Sequence, residues 1–569
     1  MDLFNLKKIY SLAVEPESKT DFDLWCLQEE VISFLDEEAN DEYVIIYASF
    51  PHAFIHSVFI PQPDLTDELV NDLLKWNCDP FSSWGLTCSS NDARIESPLH
   101  RTGSETLSTG EQIIFGRSFE GVNNNQSYYE INQVISHVLD VYFVSERNAW
   151  CRLDDHGDML EVFKVIKIPD LPTNETGTII CAKKEVLSEY SSVENFTLIR
   201  MFDINRYRSG NFSGWDNERK STEIGISKTI YGYLSVSHGT GSHSRGFQLI
   251  EFNVPKEQIV NRVWGRSADE QQKKYCTFTA YNWKNKITSE ISCDPSCLSI
   301  YFTESDLPFE TTPAFFRPEV LTKYKLERAK YKLDTRSVSC RGTWHLQTFD
   351  INSAGQVHTY LIYLSRLPYE EQLHWKQFNE NPKAPISRRA ITTDFEGQFI
   401  EDYDPLPSLK RKLERLHSEG AQWWALRDDN ALDKVHYPYT ASKDEWADEI
   451  LNLGQLLVEG LQEKWLRKKA KELGCKPDNR LRALKLLEGI LVAIDFEQDH
   501  AREIMAPFHI VHNLRSILKG HTWGTEAENE RIKALKDYGS FRDHFKKICS
   551  DCDESIEIIT SKLREVAGY

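Results

Sequence analysis

The sequence lacks several features that would place it quickly in a class. It contains neither an internal repeat nor a low-complexity tract, and its first residues carry no hydrophobic segment of the kind that exports a protein. We therefore expect a cytoplasmic protein whose 12 cysteines are most simply reduced thiols. Acidic residues outnumber basic ones by 87 to 67, and the resulting net charge of −20 excludes binding of duplex DNA along the whole surface.

Charged residues are absent from Tyr43 to Pro63, a stretch long enough to raise the question of a membrane span. Pro51, His52 and His56 interrupt the stretch, and β-branched and aromatic residues dominate each half. This pattern predicts two buried strands separated by a turn at residues 49–52. We accordingly expect no membrane contact.

Close pairs of cysteines are scarce as well. Cys293 and Cys297 form one pair with a spacing suitable for zinc, and Cys276 and Cys340 are its distant candidate partners. A structural zinc site normally needs two close pairs, so we favour buried thiols around a turn. The sequence predicts neither a metal site nor a cofactor.

The length of 569 residues predicts roughly three domains. With 40% hydrophobic and 27% charged residues, the composition is that of a folded protein and excludes a disordered one. We predict an α+β multidomain protein, with a mixed α/β domain at residues 1–160, a β-rich central domain at 161–400 and a helical bundle at 401–569. In the first domain, Tyr128 to Leu139 is predicted to be a helix.

Helical periodicity dominates the last third of the chain. Four or more antiparallel helices with short connections make a bundle. The polar connection at 400–440 contains Trp423 and Trp424, which we expect to be exposed. The predicted helices are Leu409–His417, Ser442–Leu473, Arg480–Ile494, Glu497–Ile504, Pro507–Lys519 and Glu526–Ala567, the last with a break at Tyr538–Ser540.

The helix predicted to begin at Pro507 and to end at Gly520 is distinctive. Arg515 lies on a different face of this helix from its apolar residues and can meet His521 at the helix end. The apolar face, with three- and four-residue spacing, consists of Phe508, Val511, Leu514 and Leu518.

An arginine and a histidine separated by five residues at the end of a helix resemble the Arg-x(4–6)-His motif of HEPN domains. In that family, two copies of the motif usually meet across a dimer of helical bundles and cleave RNA without a metal. The resemblance implies that Arg515 stabilises the charged phosphorane and that His521 is a general acid or base. Arg411 and His417 have the same spacing, but they belong to a charged run typical of a solvated helix face.

Three segments, at 302–310, 313–324 and 367–379, look like segments shared by a broad group of uncharacterised bacterial proteins. Those proteins likewise end in a helical region with a Leu-Arg-Ser…His element, so the resemblance spans about 290 to 525. It indicates a group and not a function.

The chain contains one strongly basic run, within the predicted helical bundle. Two interpretations stay open for it, a solvated helix surface and an RNA-binding face. Its candidate RNA-binding residues are Lys464, Arg467, Lys468, Lys469 and Lys471.

One loop, predicted at 237–246, combines glycines with His238, His243 and Arg245. Backbone N–H groups beside these side chains could hold a phosphate or a nucleotide. A polar hairpin loop is the favoured interpretation, because no helix follows to add its dipole.

These observations favour a bacterial defence or stress effector, for example in antiviral defence. Its HEPN-like domain would be a metal-independent endoribonuclease that acts as a homodimer on RNA. The remaining domains would sense a trigger, which we expect to be a phage or host protein. The alternative is a non-catalytic receptor or scaffold of a defence complex that dimerises through its helical domain.

Overall fold

The fold is taken from a computed structural model of the chain. It describes residues 29–50, 52–75, 84–97, 109–118, 127–169, 176–207, 219–236, 241–252, 254–263, 274–398, 403–428, 430–494, 496–520 and 525–567, with isolated residues before 29 and at 107. The chain divides into two compact units, which we call unit 1 (residues 1–154 and 158–273) and unit 2 (residues 155–157 and 274–569).

Unit 1 is organised on a sheet of 11 strands in which neighbouring strands run antiparallel. Along the sheet the order is β13, β14, β15, β12, β2, β1, β11, β10, β9 and β8, and β5 pairs with β2. Two further hairpins, β3–β4 and β6–β7, stand apart from it. The strands are β1 (Tyr43–Ser49), β2 (Ala53–Pro61), β3 (Gly85–Cys88), β4 (Ala93–Glu96), β5 (Glu111–Gln112), β6 (Ile114–Ser118), β7 (Ser127–Ile131), β8 (Tyr142–Val144), β9 (Ala149–Leu153), β10 (Met159–Pro169), β11 (Thr176–Lys183), β12 (Phe196–Tyr207), β13 (Arg219–Ile224), β14 (Ser227–Val236) and β15 (Gly241–Ile250).

The charge-free stretch forms the centre of this sheet. Strands β1 and β2 pair with each other, as the sequence predicts, and both are buried. Val44 and Ile46 pack into the hydrophobic cluster on one face, whereas Tyr43 and Ile45 pack into the cluster on the other. Because successive side chains of a strand point to opposite faces, a strand covered on both faces has no position for a charge.

The helices of unit 1 cover the sheet. Thr66 caps the second of them, since its hydroxyl accepts a hydrogen bond from the Leu69 amide at 3.2 Å. The helix predicted at Tyr128–Leu139 is wrong: β7 occupies its first half through pairing with β6, and Asn132 caps a short helix only from Gln133. The helices are Glu29–Glu38, Asp67–Lys75, Gln133–Val138, Lys184–Glu194 and Lys256–Val263.

The division into two units differs from the predicted domain boundaries. The boundary predicted at residue 160 falls inside β10, which pairs with β9 on one side and β11 on the other. Backbone hydrogen bonds therefore join the predicted first and second domains in one sheet. The β-rich central part of the chain is divided between unit 1 and the beginning of unit 2.

The first part of unit 2 contains two smaller sheets around one hydrophobic cluster. Phe315, Phe316 and Trp375 are buried. One sheet contains β16 (Thr277–Asn282), β17 (Ile287–Ser292), β18 (Pro313–Phe316), β22 (Asp350–Ile351), β23 (Val357–Tyr360) and β24 (Asn379–Glu380), and the other contains β19 (Tyr331–Leu333), β20 (Val338–Cys340) and β21 (Trp344–Leu346). The helices of this part are Thr322–Leu326, Leu361–Ser365, Tyr369–Gln377 and Arg388–Ala390.

The remainder of unit 2 is helical, as predicted, and shares a continuous hydrophobic core. Its helices are Pro405–Ser418, Ala431–Lys434, Lys443–Leu457, Glu463–Glu472, Ala483–Ala493, Gln498–Gly520, Thr525–Tyr538 and Phe541–Ala567. The predicted break at Tyr538–Ser540 is confirmed. Among the described residues, no helix combines the length and the apolar character needed to cross a bilayer.

Two predictions about residues 423–473 of this helical region are wrong. Trp423 and Trp424 are buried, and the Trp424 indole N–H donates to the Leu457 carbonyl at 3.2 Å. The helix predicted at Ser442–Leu473 is broken after Leu457. At the break, a side chain on Gly460 would collide with the indole of Trp424, so the glycine allows the tryptophan to pack there.

Candidate functional site

The candidate site lies on the helix Gln498–Gly520, which we call the Arg515 helix. The predicted apolar face is confirmed, since all four of its residues are buried: Phe508, Val511, Leu514 and Leu518. The predicted start is wrong, because the helix begins at Gln498 and continues through Pro507. A proline inside a helix removes one backbone hydrogen bond. Pro507 is itself buried, so packing compensates for that loss.

Arg515 projects from this helix and is partly covered, with 28% of its side chain exposed. Its Nη2 atom lies 2.5 Å from Oε1 of Glu459, which follows the end of the helix Lys443–Leu457. The aliphatic part of Arg515 lies against Gly454, where an added Cβ would come within 3.0 Å of the Arg515 Cδ. Glycine in a helix costs about 1 kcal/mol relative to alanine. Here it leaves room for the arginine.

A second arginine contacts the same carboxylate. Arg427 Nη1 lies 3.0 Å from Oε2 of Glu459, so the two carboxylate oxygens bind two different guanidinium groups. We call Arg427, Glu459 and Arg515 the bridged arginine pair. A pocket of about 110 Å³ adjoins it, and its lining includes Asn452 and Gln455.

Polar residues continue along the exposed side of the Arg515 helix. His512 and Asn513 are exposed, one turn or less before Arg515. Farther along the helix towards its N-terminus, His509 Nε2 lies 3.2 Å from Oε2 of Glu488. His521 lies outside the described residues, so the predicted meeting of Arg515 with His521 stays a prediction.

The basic run forms part of the helix Glu463–Glu472 and does not present five equivalent cations. Arg467 is engaged structurally, since it donates to the carbonyls of Asp478 and Leu481 at 3.2 and 2.7 Å and pairs with Glu463 at 3.0 Å. It therefore holds the turn that follows this helix.

The lysines of the same helix are more accessible. Lys464, Lys468 and Lys471 are exposed, whereas Lys469 lies closer to the protein and is 3.5 Å from Glu472. Three of the five predicted RNA-binding residues therefore form an exposed lysine surface, namely Lys464, Lys468 and Lys471.

The glycine-rich segment does not form the loop predicted at 237–246. Strand β15 begins at Gly241 and pairs with β14, so His243 and Arg245 lie in a strand. The Arg245 guanidinium pairs with Asp203 at 2.5 Å. His238 lies outside the described residues, and the side chain of His243 is not described. The antiparallel pairing on either side of residues 237–240 agrees with the favoured interpretation, a polar hairpin.

The predicted thiols are largely buried: Cys276, Cys293 and Cys340 have little exposure, whereas Cys297 is exposed. Burial raises the pKa of the Cys293 thiol to about 12. Within the described part of the chain, no group of three or more His, Cys, Asp or Glu side chains is arranged to hold a metal ion.

Sequence reasoning missed a cleft of about 1000 Å³ in unit 2, between the β22–β23 turn and the start of the helix Phe541–Ala567. Arg542 lines it with its guanidinium 4.9 Å from the ring centre of Tyr437. Burial alone would raise the pKa of Asp350 in this cleft, but hydrogen bonds from Ser387 and Arg389 outweigh burial and lower it. The lining residues are far apart in sequence, so no local motif predicts the cleft.

The geometry thus singles out the bridged arginine pair on the helical region, with two polar side chains exposed beside it on the Arg515 helix. Its residues come from three segments of the chain, and only Arg515 carries a recognisable sequence signal. The chain was also compared with protein-family models, with curated proteins and with solved structures, and none of these comparisons finds a match.

Proposed function

We propose that the helical region of unit 2 is an HEPN-like ribonuclease domain that cleaves RNA without a metal ion. The protein would be a bacterial defence or stress effector, and its other parts would sense a phage or host protein trigger. One observation carries the proposal: Arg515 stands partly exposed on a helix whose opposite face is buried in a helical core. A cation in that position is fixed by the fold and still open to a ligand.

In the proposed reaction, the 2′-hydroxyl of the substrate attacks the adjacent phosphorus and expels the 5′-oxygen of the next nucleotide. His521 takes the proton from the hydroxyl or delivers one to the leaving oxygen. Arg515 stabilises the charge that develops on the phosphorane oxygens. The products end in a cyclic phosphate and a free 5′-hydroxyl.

A second candidate function is a non-catalytic receptor or scaffold. The pairing of Arg515 with Glu459 favours it, because a guanidinium already neutralised by a carboxylate resembles an ordinary structural ion pair. In that case the helical region serves only for association.

The deciding experiment is a cleavage assay on a labelled RNA pool in the presence of EDTA. We expect Arg515→Ala and His521→Ala each to abolish cleavage, and the double variant to be no worse than either, because residues acting as a unit are non-additive. Arg411→Ala and His417→Ala are matched controls, since this exposed pair has the same spacing. Full cleavage by the His521 variant, or cleavage that EDTA abolishes, would contradict the proposal.

Self-association provides a second test. The HEPN comparison requires two motifs to face each other, so the purified protein should be a dimer at micromolar concentration by light scattering. A protein that stays monomeric while its helical region is folded would leave the scaffold and the composite active site without support.

A further inference from the structure

Two guanidinium groups share one partly exposed carboxylate in the bridged arginine pair. Glu459 is 26% exposed, and its two oxygens bind Arg427 and Arg515 separately. Arginine binds carboxylate and phosphate with the same planar, paired geometry. The carboxylate of Glu459 therefore occupies the position that two non-bridging oxygens of a phosphodiester would take.

We propose that Arg427 and Arg515 form a binding site for one phosphodiester group of single-stranded RNA, and that Glu459 holds this site when RNA is absent. The choice of RNA as the anion rests on the proposed function. The site itself rests on the geometry of the bridged arginine pair.

The surroundings leave the site accessible. Arg427 is 64% exposed, so a ligand can reach its guanidinium from solvent. The adjoining pocket, of about 110 Å³, is lined by the amide side chain of Gln455. The Asn452 amide group also lines it but already donates to the Lys434 carbonyl at 3.1 Å. A net charge of −20 repels a polyanion from most of the protein, so contact with RNA has to be local, as it is here.

Glu459 can leave without disturbing the arginine. A phosphate that replaces Glu459 gives both guanidinium groups a new anionic partner, so the exchange leaves neither of them unpaired. The packing of Arg515 against Gly454 does not involve the carboxylate. The guanidinium consequently stays in position while its partner changes.

The experiment measures the Kd of the full-length protein for a short 2′-O-methyl RNA oligonucleotide, which lacks the hydroxyl needed for cleavage. Glu459→Gln keeps the shape of the side chain and removes its charge, and we expect it to tighten binding roughly two- to fivefold. Adding Arg427→Ala to this variant should remove the gain. It should also reduce the slope of log Kd against log salt by about 0.7, the value for one lost phosphate contact on a single strand.

The chain offers a matched control. Glu419 also binds two arginines, Arg415 at 2.7 Å and Arg564, but lies away from the Arg515 helix. Glu419→Gln removes the same charge from a similar arrangement and should leave the Kd unchanged. A melting curve for each variant verifies that it is folded.

Three results would overturn the inference: no tightening by Glu459→Gln, the same tightening by Glu419→Gln, or a gain that survives Arg427→Ala. The outcome is separable from that of the cleavage assay. If the protein does not cleave RNA but the expected binding pattern is found, the result supports the phosphodiester site and contradicts the proposed ribonuclease activity. If the protein cleaves RNA and the Kd of Glu459→Gln equals that of the parent, the result supports the ribonuclease activity and contradicts the phosphodiester site.

Discussion

Two arginines, one in each unit, both pair with a glutamate, yet the fold holds them in different ways. Arg200 of unit 1 is fully buried, and all three of its nitrogens are engaged. Besides Glu38, it donates to the carbonyls of Leu35 and Ile45 at 2.7 and 3.0 Å and to the Gln248 side chain at 2.8 Å. Four of its five N–H groups are thus engaged, and burial keeps the guanidinium out of reach of a ligand, so its role is to fasten the helix Glu29–Glu38 to the sheet.

Arg515 of unit 2 is held by shape and by one acid. Within the described part of the chain, Glu459 is the one charged group found at its guanidinium, and Gly454 supports its stem. Part of its side chain, 28%, remains exposed. The comparison teaches that a glutamate partner alone does not separate a structural arginine from a functional one. What separates them is whether main-chain carbonyls complete the coordination.

The largest effect should follow from Arg200→Met. It leaves Glu38 buried without its cation, which costs about 3–5 kcal/mol of unfolding free energy. Equilibrium denaturation, followed by tryptophan fluorescence, measures the change. Adding Glu38→Gln should recover part of the loss, because the unpaired charge is then gone. Arg515→Ala, the matched variant at a partly covered arginine, should cost less than Arg200→Met because Arg427 still pairs with Glu459. Equal losses of unfolding free energy in the two variants would contradict the difference proposed between Arg200 and Arg515.

The second prediction concerns the loss of stability at low pH that two histidines of unit 2 should cause. Burial lowers the pKa of His358 and of His544 to about 4, below the ordinary value of 6.5. The unfolded chain therefore binds protons that the folded chain does not, and stability falls as the pH drops from about 6.5 to about 4. Each histidine should cost about 2 kcal/mol at pH 5, given 1.36 kcal/mol per pKa unit. Denaturation at several pH values measures this dependence.

The control for this prediction is His358→Gln. The amide oxygen of glutamine can accept the hydrogen bond that His358 Nε2 receives from the Ser387 amide at 3.0 Å, but glutamine does not titrate. The variant should have a flatter stability profile between pH 6.5 and 4 than the parent. An unchanged profile would show that His358 does not contribute.

The smallest effect on stability is expected for the lysines of the basic run. Reversing Lys468, Lys469 and Lys471 to Glu should weaken retention of RNA at low salt and change the unfolding free energy by less than about 0.5 kcal/mol. Arg467→Ala, on the same helix, should cost about 1 kcal/mol because two carbonyls lose their donor. A filter-binding assay and a melting curve separate the two effects. RNA retention equal to that of the parent would remove the lysines from the RNA surface.

Local patterns in the sequence predict much of the fold. The charge-free stretch predicts β1 and β2, and three- and four-residue spacing predicts the buried face of the Arg515 helix, because both periods are properties of the backbone itself. Predictions that depend on distant partners were wrong. Trp423 and Trp424 lie in a segment predicted to be a polar connection, but the segment around Leu457 and Gly460 packs against Trp424 and both indoles are buried.

The candidate site shows the same limit. Arg515 can be singled out from the sequence because its helix is apolar on one face and carries a cation on the other. Glu459 and Arg427 cannot, since neither is close to Arg515 in sequence and each resembles any surface charge. The start at Pro507 was wrong for a related reason: proline usually begins a helix, but here tertiary packing keeps it inside one.

The separation of Glu38 from Arg200 along the chain also has a consequence in time. The two residues are 162 positions apart, and at 5–20 residues per second a ribosome needs roughly 8–30 s to reach the second after the first. During this interval the carboxylate of Glu38 has no cation to accompany it into the interior, so the helix Glu29–Glu38 stays undocked. Strand β2 also waits for its neighbour β12, whose paired residues lie 135 to 151 positions later in the chain. The nascent amino-terminal segment therefore exposes the apolar strands β1 and β2 during this interval, and exposed apolar surface of this kind is what chaperones bind.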